Sequence, residues 1–269
     1  MKSFKLIGLV VAFLIPVGLL AQENYKPVDL SIQLKSTHLW RGYEVSSSPI
    51  LDATVAYKDR SGALEIGLWG ASAFQGDYRE FDYYISYAVK GFSVSLWDIY
   101  NLAADESYGK GKPSNSKLNI FNYDPKKGTS HFIDLSLGYT LQGSYPLNVT
   151  WSTILYGRDL NLKYVDETKK ETKKDTQAFS TYLAGTFPLP FLSAGGVDFN
   201  AGIAAAFTLN PGDEDYNFYA GDRNFGIVNF NLSASKAVTI GGHTYPISTY
   251  AMWNPVNKNA SLQLAINLF

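Results

Sequence analysis

The chain has no cysteine. That excludes a disulfide framework and any site built on thiolate ligands. Histidine is scarce, with three in 269 residues: His38, His131 and His243. No His, Asp and Glu group has the spacing of a metal site, so neither metal nor cofactor is expected. Beyond Leu20 there is no long apolar run of the kind a helical membrane protein needs. Charge of one sign is not in excess, with 23 basic and 24 acidic residues and a net charge of −1, and nothing favours a nucleic-acid partner.

What is present begins with an export signal. Lys2 and Lys5 precede an apolar stretch over 6–20 that is broken by Pro16, and Ala21 is a small residue suited to cleavage. The stretch is shorter than the ~20 residues a spanning helix needs, and no cysteine follows it to carry a lipid. The expected organisation is a signal peptide over 1–21 and one domain over 22–269. Without Lys2 and Lys5 the basic count falls to 21 against 24 acidic residues, a net of −3. Aromatic residues make up 15% of the chain, yet mean hydropathy is −0.10. Many aromatics without apolar runs suit strands with one lipid-facing and one polar side.

Period two dominates after residue 27. Val28, Leu30, Ile32 and Leu34 alternate with Asp29, Ser31, Gln33 and Lys35. Leu64, Ile66 and Leu68 alternate with Glu65, Gly67 and Trp69, and the pattern recurs to Leu262, Leu264, Ile266 and Leu268. Val228, Phe230, Leu232 and Ala234 form one such apolar set, opposite Asn229, Asn231 and Ser233. About twelve segments of this kind are legible, an even number that fits bacterial barrels. The connections alternate in length. Short ones fall at 58–62, 90–91, 142–146, 188–196 and 241–244; longer ones fall at 42–48, 71–78, 101–128, 157–176, 208–223 and 254–259. Short periplasmic turns and longer outer loops alternate in this way in outer-membrane barrels. Tyr57, Tyr87, Phe92, Tyr139 and Phe187 share the apolar phase beside short turns, where an interfacial girdle belongs. A soluble sandwich or a lipocalin-like barrel also alternates, but has no reason to alternate its loops. The expected fold is all-β, a transmembrane up-and-down antiparallel barrel of about twelve strands in the cell outer membrane. Its expected partners are outer-membrane lipid and, during biogenesis, the barrel-assembly machinery.

If the apolar phase faces lipid, the polar phase faces the lumen. It carries Lys35, Arg41, Asp52, Glu65, Glu80, Asp82, Asp134 and Asp198. Acids dominate this set. They would either make a pore that favours cations or pair with Lys35 and Arg41 in a filled interior. Arg41, between Trp40 and Gly42, would bind an anionic solute or bridge the strand end to a carboxylate. A hydrolase would need a nucleophile, a base and an orienting group in contact. Ser130 and His131 are adjacent and so point to opposite faces of a strand, and no catalytic residue is expected. The run of Lys, Glu and Thr over 166–175 reads as a solvated loop tip.

The segment 34–100 resembles the TorF-type porins, outer-membrane barrels of mostly unassigned function. The resemblance rests on Ser36-Thr37-His38-Leu39-Trp40-Arg41-Gly42, Ser46-Ser47-Ser48-Pro49, Gly67-Leu68-Trp69-Gly70 and Phe81-Asp82-Tyr83-Tyr84-Ile85-Ser86-Tyr87. It implies an outer-membrane barrel with pore activity and names no substrate. Phe269 is similar to the terminal aromatic read by the assembly machinery, although Leu262 to Leu268 run one residue out of phase with it. The functional expectation is passive passage of small solutes or cations. The alternative is a non-conducting barrel that acts through its outer loops.

Overall fold

The computed structural model describes residues 25–101, 119–144 and 146–269. The signal segment over 1–21 and most of the 101–128 connection lie outside the described residues. Among the described residues sixteen strands follow in chain order: β1 (Val28–Lys35), β2 (His38–Trp40), β3 (Tyr43–Ser46), β4 (Ile50–Lys58), β5 (Leu64–Ala73), β6 (Arg79–Val89), β7 (Phe92–Asn101), β8 (His131–Thr140), β9 (Asn148–Gly157), β10 (Leu160–Asp166), β11 (Glu171–Gln177), β12 (Ser180–Pro188), β13 (Asp198–Thr208), β14 (Phe225–Ile240), β15 (His243–Asn254) and β16 (Asn259–Asn267). Twelve of them close into one antiparallel barrel, each beside its neighbour in the chain once β2–β3 and β10–β11 are set aside. β1 seals the circuit by pairing with β4 along its whole length and with β16 from Gln33 to Lys35. Closure leaves no sheet edge, which is the condition for a sheet to cross a bilayer.

The outer face follows from the alternation. Leu30, Val55, Ile66, Ile85, Leu96, Val149, Leu183, Ile203, Leu232 and Leu264, one on each of ten barrel strands, are all exposed. Tyr57, Tyr87, Phe92, Tyr139 and Phe187 are exposed too, beside the short turns. A band of this kind on a closed barrel is a lipid-facing surface. The short connections are tight, and Lys90 and Gly91 both take positive φ (49° and 84°), as a two-residue hairpin turn requires. Leu268 stays outward beyond the last ladder residue and donates its amide to the Ile32 carbonyl at 2.8 Å, so Phe269 hangs past the final pair.

Three features depart from the alternation. Val228 belongs to the apolar, lipid-facing set by sequence but is fully buried. A bulge explains it: Ala204 pairs with Asn229 while Ala205 pairs with Ile227, so Val228 is an extra residue that turns inward. The connection at 254–259 shrinks to 255–258, no longer than several periplasmic turns. Two outer connections carry strands of their own. The 157–176 segment rises as the β10–β11 hairpin, with an exposed tip at 167–170. The 36–49 segment forms the β2–β3 hairpin, and it folds inward rather than out.

Candidate functional site: a loop plug and the acidic cavity beside it

The β2–β3 hairpin turns on Arg41 and Gly42, with φ of 44° and 89°. Both positions are left-handed, where a two-residue hairpin of this hand places them. Glycine is required at the second position for a further reason: a Cβ there would lie 2.4 Å from the Val228 carbonyl oxygen. The inward bulge of β14 and the bare backbone of Gly42 therefore meet. Asn254 of β15 completes this anchor, donating from Nδ2 to the Gly42 carbonyl at 2.9 Å.

From that anchor Arg41 reaches across the lumen. Its two terminal nitrogens donate to the two oxygens of Asp134 on β8, each at 2.7 Å. Nη1 also donates to the Tyr219 hydroxyl at 2.8 Å and Nη2 to Ser136 Oγ at 3.0 Å. Between β15 and β8 lie β14, β13, β12 and β9, so the hairpin tip spans the barrel. A second outer connection enters beside it. Asn217 Oδ1 accepts from the amides of Tyr219 and Ala220, at 2.8 and 3.1 Å, and holds a tight turn. Ser180 Oγ accepts from the Phe218 amide at 2.8 Å, and Tyr43 donates its hydroxyl to the Phe218 carbonyl at 2.7 Å. Trp40 packs on Phe132, Phe218 and Tyr219 with ring centroids 5.9, 6.3 and 5.5 Å away. The Arg41 guanidinium lies 4.7 Å from the Trp40 ring centre, within cation–π range. The result is a plug in the outer half of the barrel: an apolar aromatic cluster with one clamped ion pair at its centre.

A cavity of about 300 Å³ lies between the plug and the wall of β5–β8. Glu80, Asp82 and Asp134 line it with Arg41, His38 and three tryptophans, Trp40, Trp69 and Trp97. Asp82 accepts from the Tyr100 amide at 3.1 Å, and Glu80 from Asn101 Nδ2 at 2.8 Å. His38, on the hairpin and not on a spanning strand, is pushed down to about 3 by burial and then by the charge of Lys35, so it is neutral.

The eight residues read from the sequence as lumen-lining divide into separate groups. Lys35 pairs with Asp52 at 2.8 Å on neighbouring strands, and Trp69 Nε1 donates to the same carboxylate at 3.3 Å. Arg41 pairs with Asp134, and Glu80 and Asp82 share the cavity with them. Glu65 sits apart at the periplasmic end, hydrogen-bonded to Tyr84 and 3.6 Å from Lys58, which also pairs with Asp29. Asp198 is exposed at the start of β13 and joins none of these groups. Sequence phase placed Arg41 at the end of the first strand; its position at the tip of an inward hairpin depends on contacts with β8 and β15. The roles of Tyr219, Phe218 and Asn217 carry no sequence signal, since they sit in an outer connection with no periodicity.

His131 is fully buried on the outer side of β8, stacked between Tyr100 and Tyr123 at centroid distances of 4.4 and 4.0 Å. Its Nδ1 lies 2.8 Å from Asp98, and its Nε2 lies 2.8 Å from the Ile120 carbonyl. Both ring nitrogens are thus engaged, which leaves none to activate a nucleophile. The Asp98–His131 pair clamps the 119–130 segment to the barrel.

No protein-family profile matches the chain, and no curated protein matches it. Among solved structures it is similar to OccK9 from Pseudomonas aeruginosa, with 14% identity over 92% of this chain and 64% of that one, at a TM-score of 0.38. It is similar to an outer membrane channel from Pseudomonas putida F1, with 11% identity over 89% of this chain and 92% of that one, at 0.42. It is also similar to the outer membrane protein OprD from Pseudomonas aeruginosa, with 13% identity over 90% and 64% of the two chains, at 0.36. The chain spans 64% of the length of OccK9 and of OprD. Likeness this slight carries no argument about solute or mechanism, and the fold rests on the strand pairing itself.

Proposed function

We propose that the chain is an outer-membrane porin-type barrel that passes small solutes, cations ahead of anions, along a route narrowed by the two inward loops. The observation that carries this reading is the distribution of charge in the lumen. Asp52 and Asp134 on the β4–β8 arc are paired with Lys35 and Arg41, and Glu80 and Asp82 on the same arc supply the excess of acid. The opposite arc, β12 to β16, faces the interior with Tyr182, Asn200, Asn231, Ser233 and Gln263, and its one lumen-phase acid, Asp198, is exposed at the rim. A narrow path with acids on one wall concentrates cations and repels anions. The resemblance of 34–100 to the TorF-type porins points the same way. Residues 1–21 act as the export signal, and the barrel-assembly machinery inserts the domain. The chain acts as a channel and not as an enzyme.

A second reading has its own support. The aromatic cluster around Trp40, Phe218 and Tyr219 fills much of the outer lumen, as expected of a non-conducting barrel that works through its outer loops. Planar-bilayer recording on the purified barrel decides between the two. Small single-channel steps with a cation-selective reversal potential in a salt gradient are expected. Silence would favour the non-conducting barrel, and anion selectivity would defeat the acidic-wall argument.

A further inference from the structure

The cavity beside the plug has the chemistry of a ligand site. Trp97 is fixed by a parallel stack on Tyr84, with centroids 4.2 Å apart and planes 12° apart. Trp69 is fixed on both sides, stacked on His38 at 5.8 Å and hydrogen-bonded to Asp52. Rings held in place before a ligand arrives lose little freedom when it binds. Glu80 and Asp82 stand beside them, two residues apart on one face of β6. Arg41 adds no free charge, because Asp134 takes its guanidinium in a two-point clamp. Arg158 lies over the Phe132 and Phe218 rings.

One atom in this wall stands out. His38 is only 8% exposed, and its Nδ1 has no hydrogen-bond partner. A buried polar nitrogen left without a partner is costly. Its ring lines the cavity as an uncharged wall, while Nδ1 itself is closed off from the cavity. A neutral imidazole in the wall does not repel a cation. Carboxylates attract that cation, and tryptophan faces bind it through their quadrupole.

We propose that this cavity binds a small organic ammonium ion, its N–H groups directed to the Glu80–Asp82 pair and its carbon chain packed on Trp69 and Trp97. The proposal rests on the channel reading for the ligand's way in, and it names the solute class of that same lumen. A volume of about 300 Å³ is at the small end of ligand pockets, which suits a short amine.

The test is calorimetric titration of the detergent-solubilised barrel at fixed ionic strength, with butylammonium chloride as the probe. Saturable binding is expected. Butanol, the uncharged analogue, should bind at least about tenfold more weakly, and tetramethylammonium, a cation without N–H, should fall between them. Asp82→Asn and Glu80→Gln, each checked for folding by its heat-dependent gel shift, should each weaken butylammonium binding about tenfold. Equal affinity for butanol would overturn the proposal, as would an unchanged affinity in both variants, or binding of glucose with none of butylammonium. Binding is read here without transport. A silent barrel that binds the amine removes only the channel reading, and a conducting barrel that ignores it removes only this site.

Discussion

The outer and periplasmic halves of this barrel share the same strands and the same lipid-facing pattern, yet their interiors are built in opposite ways. In the outer half the wall is lined by Ile50, Phe132, Ile154, Val228 and Asn254, all essentially without exposure, because two loops fold in against them. In the periplasmic half the inward positions are Ser86, Ser93, Ser95, Thr140, Asn148, Thr150 and Thr186, all half-buried. The outer interior is a core that happens to lie inside a barrel, and the inner one is a polar vestibule whose side chains are only half-buried. A barrel of twelve strands is of intermediate radius, so either solution is open to it. The difference shows that lumen geometry is set by what the loops bring in and not by the strands alone.

Removing the plug should erase the contrast and have the largest effect. Replacing residues 38–46 with a short Gly-Ser linker should raise single-channel conductance severalfold, since the hairpin that spans the lumen is gone. Unchanged conductance would mean that solutes already bypass the hairpin, and the two halves would then be functionally alike. Next in size is the ion pair at the plug's centre. Asp134→Asn leaves a buried guanidinium without its carboxylate and should destabilise the barrel by about 3–5 kcal/mol in a reversible unfolding assay in lipid. Pairing it with Arg41→Met should recover most of that loss, because a buried pair replaced by apolar groups is often neutral. No recovery would show that Arg41 acts through Tyr219 and Ser136 rather than through charge.

The lipid-facing surface gives a smaller and simpler test, because it should not distinguish the halves. Ile66→Arg should cost about 2–4 kcal/mol near the bilayer midplane, whereas Ser95→Ala in the vestibule should stay within about 0.5 kcal/mol. A large loss at Ser95 would mean that the vestibule is packed. The adjacent inward position Gly67 is not neutral, since a Cβ there would lie 2.6 Å from the Tyr84 ring, which Trp97 and Glu65 hold in place.

A pH-dependent effect lies above the plug. Asp159, in the outer connection between β9 and β10, is pushed up from 3.8 to about 6 by burial, although Ser180 and Gln177 donate to it. Between those two values only the folded state holds the proton, so stability falls as pH rises across that window and is lowest above it. Asp159→Asn should flatten this dependence, read as the unfolding midpoint against pH. A midpoint that instead rises with pH in the wild type would show that the donors outweigh the burial.

What could be read from the sequence follows from locality. Leu64, Ile66 and Leu68 on one side and Glu65, Gly67 and Trp69 on the other need only the two-residue pleat to be assigned to opposite faces. Loop length counts directly along the chain. The barrel, its strand number and its lipid face were therefore legible. The exceptions are equally physical. The phase of Val228 fails at a bulge, which inserts one residue without changing the composition of the strand. The partner of Arg41 is 93 positions away on a strand across the lumen.

Alternation and loop length by themselves determined that this chain closes into a membrane barrel, because each strand's two faces are written in neighbouring residues and solvation acts on them one pleat at a time. Only the tertiary structure decided that the outer half is filled. Filling depends on Gly42 meeting Val228, on Asn254 holding that turn, and on Arg41 finding Asp134, contacts between residues far apart in the chain that no period records.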